Sequence, residues 1–430
     1  MKVTGIIAEY NPLHKGHQYQ INYIKEMLNT DYVIVALSGD YVQRGTPALF
    51  PKHLRAEMAL LCGADLVLEI PVSVSTSSAE AFAMGGVSML DGLQVVDQLC
   101  FGSESGEISA LWELAEILVK EPEEYRKLLK TFLSQGMSFP ASRSQALTEY
   151  FKNPYNFKGD DFDGVLTPLL NQILQILNSP NNILGVEYCK ALLNLQSTIK
   201  PVTLKRQGMG YHDRLTSTPD NSNSPLFASA SGIRELLNSA LTPEILVQAA
   251  RQVPDEISDL FVTALKNREF FTEESLDSLL VYCILKENVS GFSTYLDVSE
   301  DLSERIRNRA NEIHGFSQGA SLLKTKELTQ TRIQRALLHI ILGIRTVPEQ
   351  VPYARVLGFR KESSPLLKEI KKRSRIPLLT KLADAPHILD KSALQLLEET
   401  TFASNLYEKL ICLRSGREFC HEYQKNIVIL

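Results

Sequence analysis

Of 430 residues, one is tryptophan and six are cysteine. Cys62, Cys100, Cys189, Cys283, Cys412 and Cys420 lie far apart and form no CxxC pair. Structural zinc sites and disulfide frameworks need thiols at short, repeated spacings, so neither is expected. No apolar run approaches the roughly 20 residues that cross a bilayer. The first residues have no signal-peptide architecture, and a cytoplasmic protein without membrane attachment is expected. No GxxxxGK[ST] loop occurs, and Gly208-Met209-Gly210-Tyr211-His212-Asp213 fails as a dinucleotide fingerprint because Asp213 stands where the last glycine is required. A coenzyme A pyrophosphate loop is disfavoured at the same place, since His212 occupies a position that admits only a small residue.

What is present describes an ordinary globular chain: 44% hydrophobic, 22% charged, net charge −5. That length exceeds one compact domain. The pattern changes near residue 240, so a catalytic domain over 1–240 and an α-helical domain over 241–430 are expected. Charge is unevenly spread, for residues 324–381 hold 14 Lys/Arg against 4 Asp/Glu, a local net of +10. A basic region therefore rides on an acidic protein, which suits RNA phosphate.

Short β-rich runs alternate with helical patterns through the first hundred residues. Strands are expected at Val3–Ala8, Tyr32–Leu37, Leu66–Ile70 and Gln98–Phe101, with helices at His17–Leu28, His53–Leu61 and about Ala79–Leu90. This alternation predicts an α/β fold, a Rossmann-like parallel sheet covered on both faces. Glu107–Leu133 reads as one long amphipathic helical region, and Pro201–Leu204 as a further strand. Beyond residue 240 the pattern is mostly helical.

The segment with most chemistry is Gly5-Ile6-Ile7-Ala8-Glu9-Tyr10-Asn11-Pro12-Leu13-His14-Lys15-Gly16-His17, an apolar strand running through a turn into a helix. Ligands of open parallel sheets bind at the carboxyl ends of strands, and helix N-termini favour phosphate. Gly16 admits close backbone approach, while His14 and His17 can donate to phosphoryl oxygens. Paired donors held there suit in-line displacement at an α-phosphate. A metal site at His14 and His17 would need a carboxylate or thiol near them to complete it, and none adjoins them in the segment.

The segment resembles the HxGH signature of the nucleotidyltransferase superfamily. With Ser38-Gly39, Gln43-Arg44-Gly45, Phe101-Gly102-Ser103-Glu104, Pro180-Asn181-Asn182-Ile183-Leu184-Gly185, Tyr211-His212-Asp213 and Pro352-Tyr353-Ala354-Arg355-Val356-Leu357-Gly358, the chain resembles the bacterial tRNA(Met) cytidine acetate ligase family. The resemblance implies that ATP and acetate form acetyl-adenylate, and that the acetyl group passes to N4 of the wobble cytidine of elongator tRNA(Met). It implies an ATP site over Ile7, Ala8, Glu9, Tyr10, Asn11, Pro12, Leu13, His14, Lys15, Gly16, His17, Gln18, Tyr19 and Gln20, with Gly102, Asn181 or Asn182 (Asn181 favoured) and Arg206. His14 and His17 would be catalytic, and Mg2+ would accompany ATP.

Read locally, Gly102 is either a turn glycine or a flat seat for the nucleotide, Asn181 and Asn182 either helix caps or ligands, and Arg206 either solvated or paired with phosphate. Ser229-Ala230-Ser231-Gly232-Ile233-Arg234 resembles the superfamily's second, ISSTxxR-type signature, with Gly232 where threonine is typical. Lys52 and Arg55 read as helix-surface charge or as holders of phosphate or RNA. Lys371 to Arg375 reads as a solvated helix end or part of an anticodon-arm platform, with Tyr353 and Phe359 as stacking or core residues. Glu9, Asp40 or water could take the proton lost from cytidine. The rival readings are a small-metabolite adenylyltransferase and a non-catalytic RNA-binding protein on the same fold.

Overall fold

A computed structural model describes residues 1–153, 176, 179–206, 228–238 and 241–430. Ten strands are present among them: β1 (Val3–Ala8), β2 (Tyr32–Ser38), β3 (Tyr41–Val42), β4 (Thr46–Pro47), β5 (Leu66–Ile70), β6 (Gln98–Ser103), β7 (Lys200–Lys205), β8 (Ala354–Phe359), β9 (Leu378–Leu379) and β10 (Val428–Ile429). Eight form one sheet in the order β10-β8-β5-β2-β1-β6-β7, with β9 beside β8, while β3 and β4 make a separate hairpin. Pairing from β5 to β7 is parallel, and β8 meets β5 antiparallel.

Strands buried on both faces read as continuous apolar runs, and β1, β2 and β5 do. One face packs Ile7, Ile34, Phe82, Val87 and Val186; the other packs Ile6, Ile21, Val33, Val35 and Ile233. Strand order reverses between β1 and β6, so a crevice opens at their carboxyl ends, where α/β sheets bind ligands. Here the chain leaves β1 for the helix Lys15–Glu26.

The five expected strands are present, lengthened by one or two residues at Ser38, at Gly102-Ser103 and around Pro201–Leu204. The expected single helical region after Glu107 is two helices, Ile108–Lys120 and Glu123–Ser134. Pro122 breaks it, since proline lacks an N–H and disfavours helical geometry in the residue before it. Glu121 ends the first helix as its left-handed C-cap (φ 41°), its N–H donating to Ile117 O. The 352–358 block, expected within the helical part, instead builds β8 in the main sheet. Most of 241–430 is helical, but β8, β9 and β10 extend the sheet begun by the first hundred residues.

Candidate active site

At the switch point Tyr10 takes a left-handed conformation (φ 46°), turning the chain out of β1. Asn11 anchors the turn: its Oδ1 accepts from Leu49 N at 2.7 Å, and its carbonyl accepts from Arg234. His14 then caps the helix Lys15–Glu26, its Nδ1 accepting from Gly16 N at 3.1 Å. His17 answers, its Nδ1 accepting from His14 N at 3.2 Å. A ring nitrogen that accepts carries no proton, so both imidazoles are held as the Nε2–H tautomer. Burial, reinforced by Arg206, pushes His14 down to about 3; burial, then His14 and Arg206, hold His17 well below the usual histidine range. Both rings are therefore neutral donors at pH 7.

The spacing of the motif follows from this geometry. A Cβ on Gly16 would lie 2.9 Å from His14 Cε1 and 3.1 Å from its Nδ1. Glycine was expected there to let a ligand approach; the space it leaves is taken by the His14 ring.

A cavity of about 330 Å³ opens over these rings. Of the expected segment, Ile7, Ala8, Glu9, Tyr10, Asn11, His14, Gly16, His17, Tyr19 and Gln20 line it, as do Gly102, Asn181 and Arg206. Pro12, Leu13, Lys15 and Gln18 are not among the lining residues. Leu13 is core, Lys15 pairs with Asp255 at 3.9 Å, and Gln18 Nε2 donates to Glu256 at 2.7 Å.

The two asparagines separate. Asn182 is buried, its Oδ1 accepting from Glu104 N at 2.9 Å and Ser105 N at 3.1 Å, which fixes the loop after β6. Asn181 faces the cavity and donates to Glu104 Oε1 at 2.6 Å. Neither is the cap, which is Ser179. Arg206 follows β7 and its stem crosses Gly102, where a Cβ would meet Arg206 Cγ at 3.3 Å. Ser229, Ser231 and Arg234 also line the cavity, with Ser229 capping the helix Ala230–Leu237. Among the described lining residues, Arg44, Lys205, Arg206 and Arg234 face a single acid, Glu9, so the cavity is cationic. Asp40 is not among them; it is buried and accepts from Lys52 N at 2.8 Å. No group of three His, Cys, Asp or Glu side chains suited to a metal occurs among the described residues.

Lys52 and Arg55 are neither surface charges nor phosphate ligands. Lys52 Nζ is buried between Glu69 (2.5 Å) and Glu422 (2.8 Å). Arg55, 0% exposed, donates to the carbonyls of Glu9 at 2.6 Å, Ser38 at 3.1 Å, Phe50 at 2.9 Å and Gly39. It ties the ends of β1 and β2 together directly beneath the turn. Tyr188 and Phe82 were not singled out from the sequence; both are buried in the core and also border the cavity. Arg44 was visible only as part of a matched block.

The HIGH nucleotidyl transferase family model matches residues 1–418. Proteins named tRNA(Met) cytidine acetate ligase are 38% identical over 415 residues in Clostridium perfringens (95% of this chain, 96% of that one) and 41% identical over 390 residues in Clostridium kluyveri (89% and 90%). The chain belongs to the tRNA(Met) cytidine acetate ligase family. Among solved structures, Thermotoga maritima TmcAL bound with alpha-thio ATP covers all of both chains at 29% identity and TM-score 0.85, and its apo form gives 30% and 0.88.

In this ligase-family chain the basic stretch is less exposed than its count suggests. Arg335 pairs with Asp297 at 2.8 Å, and Arg355 is buried between Glu69 and Glu422, each at 2.6 Å. Lys371, Lys372 and Arg373, ending the helix Ser364–Arg373, are exposed, and Arg375 pairs with Asp91. Tyr353 is core rather than a stacking surface, and Phe359 packs against the core. The Tyr211-His212-Asp213 block lies outside the described residues.

Proposed function

We propose that this chain is an ATP-dependent ligase that acetylates N4 of the wobble cytidine of elongator tRNA(Met). The observation that carries the reading is the cationic cavity at the strand switch point, floored by two neutral Nε2–H imidazoles. Acetate, ionised at neutral pH, attacks the α-phosphorus; a P–O bond forms, the bond to pyrophosphate breaks, and acetyl-adenylate results. His14 and His17 donate to the oxygens that gain charge, without themselves changing protonation. Arg206, Arg234 and the serines at Ser229–Ser231 hold the pyrophosphate side. Gly102 and Asn181 border the adenosine.

In the second step the cytosine amine attacks the acetyl carbon, AMP leaves with its acyl oxygen, and the amine loses one proton. Glu9, the acid among the described lining residues, accepts it. Mg2+ would be held mainly by the ATP phosphates, since Glu9 already accepts from Gln43 N and takes the cytidine proton. Bound there, the ion would neutralise phosphate charge. Exposed Lys371, Lys372 and Arg373 belong to the tRNA-binding surface, and the tRNA substrate places the reaction in the cytoplasm. The test measures pyrophosphate and AMP formation from ATP and acetate, with and without tRNA(Met), and N4-acetylcytidine in the RNA. ATP cleavage that ignores acetate, or no acetylcytidine, sinks the proposal.

A further inference from the structure

Adenylation needs a second binding place inside the same cavity, and its walls differ in chemistry. Resting on the acetate-ligase reading, we propose that the wall formed by the β3–β4 hairpin and the start of the helix Ala79–Gly92 is the carboxylate subsite. Arg44 holds the carboxylate, and Val42, Ala79 and Phe82 enclose a short acyl chain.

The direction of attack selects the face of the sheet that carries this wall. The helix Lys15–Glu26 and the helix Ala230–Leu237 pack on one face of the sheet, through Ile21, Ile24 and Ile233. The pyrophosphate side, at Ser229, Ser231 and Arg234, therefore belongs to that face. In-line displacement brings the nucleophile from the side opposite the leaving group. Phe82 packs in the core of the other face, and it lines the cavity together with Ala79. Arg44 lines the same cavity from the hairpin, which Gln43 Nε2 ties to Ser77 O beside Ala79, while Gly102, Asn181 and Arg206 line it from β6, β7 and the helix Pro180–Asn194.

The chemistry of the wall suits a small carboxylate. A guanidinium binds a carboxylate through paired donors, and a methyl group wants apolar surroundings. The hairpin is also a fixed support. Gln43 N donates to Glu9 Oε1 at 2.9 Å, and Gln43 Nε2 donates to Ser77 O at 3.2 Å. On its other side Gly45 (φ +75°) is pressed so closely on the helix Gln330–Leu342 that a Cβ would lie 2.4 Å from Arg335 N. The backbone around Arg44 is thus clamped between the catalytic turn and the helical half of the chain.

The experiment uses the full chain with tRNA(Met), varying acetate and ATP separately. Arg44→Gln raises KM for acetate by roughly tenfold or more, as loss of a charge-assisted pair implies, while the affinity for a non-hydrolysable ATP analogue stays unchanged. Arg44→Lys recovers part of the loss. Ala79→Leu raises the acetate KM by narrowing the pocket. If Arg44→Gln weakens the ATP analogue and leaves acetate KM alone, Arg44 serves the triphosphate and the proposal is overturned; if it moves neither, the proposal is overturned as well. Should Arg44→Gln fail to fold, Ala79→Leu decides, an unchanged acetate KM refuting the subsite. Failure of the underlying reading is separate, since the unaltered protein would then form no acetate-dependent AMP.

Discussion

His14 lies stacked on His17 with ring centroids 3.7 Å apart and planes 25° from parallel, each ring accepting a backbone N–H through Nδ1. Two residues that would serve merely as donors to phosphate are therefore also the reciprocal cap of the helix that carries them. Folding the helix sets the tautomers, and the tautomers set what the cavity can do. Gly16, between the two, is where this coupling can be probed with least chemistry removed.

Gly16→Ala places a methyl 2.9 Å from His14 Cε1. The His14 ring must move, its bond to Gly16 N weakens, and the cap costs about 1 kcal/mol. Misplacement of a group at the reacting centre costs far more in rate, about a hundredfold. Acetate-dependent pyrophosphate release should fall by that order while thermal unfolding shifts by only a few degrees. An equal ranking of the two losses would contradict the division of labour.

Histidines held neutral carry a pH signature. The folded His14 sits at about 3 against an ordinary 6.5, so the unfolded chain binds a proton that the native one refuses. No stability is lost to this group above pH 6.5; below it, the native state weakens by about 1.4 kcal/mol per pH unit until about pH 3. Urea unfolding at pH 7, 6 and 5 measures the slope. In His14→Asn, which keeps a capping side chain, the slope should shrink by about one proton's worth.

Much of this architecture is legible in the chain, and the parts that are not share a cause. β1, β2 and β5 are long apolar runs bounded by helical patterns, and Gly16 between two histidines announces the turn. Lys52 and Arg55 misled because their partners, Glu69, Glu422 and the carbonyls of Glu9 and Ser38, are distant or main-chain. A charge count sees no partner, so Arg335 and Arg355 inflated the basic stretch in the same way. β9 and β10 are two residues long and leave no periodicity to read. Asn181 and Asn182 are chemically identical, and only the loop after β6 tells them apart.

Arg55 is the buried residue whose loss should be felt furthest. It has four carbonyl acceptors, two of them at the ends of β1 and β2. Arg55→Met leaves those carbonyls without a donor, a cost of about 3 kcal/mol or more. Arg55→Lys keeps the charge but cannot span the four, so it should fold with intermediate stability and impaired adenylation. Denaturant unfolding and pyrophosphate release on the same preparations check both. Full activity in Arg55→Lys would show that the turn holds itself.

Binding of the two substrates should respond to different residues. Reversing Lys371, Lys372 and Arg373 to glutamate removes exposed charges, so binding of tRNA(Met) should weaken across RNA sequences alike, and its salt slope should fall by about 0.7 to 0.9 for each phosphate no longer neutralised. Affinity for an ATP analogue should not change, because none of the three lines the cavity. Reversing Arg335 instead attacks its 2.8 Å pair with Asp297 and, through the neighbouring backbone against Gly45, the hairpin of Arg44. That variant should lose stability first, with the salt slope of whatever protein still folds left intact. Binding isotherms at several salt concentrations, read beside melting curves, distinguish a residue that touches RNA from one that only adds to the charge count.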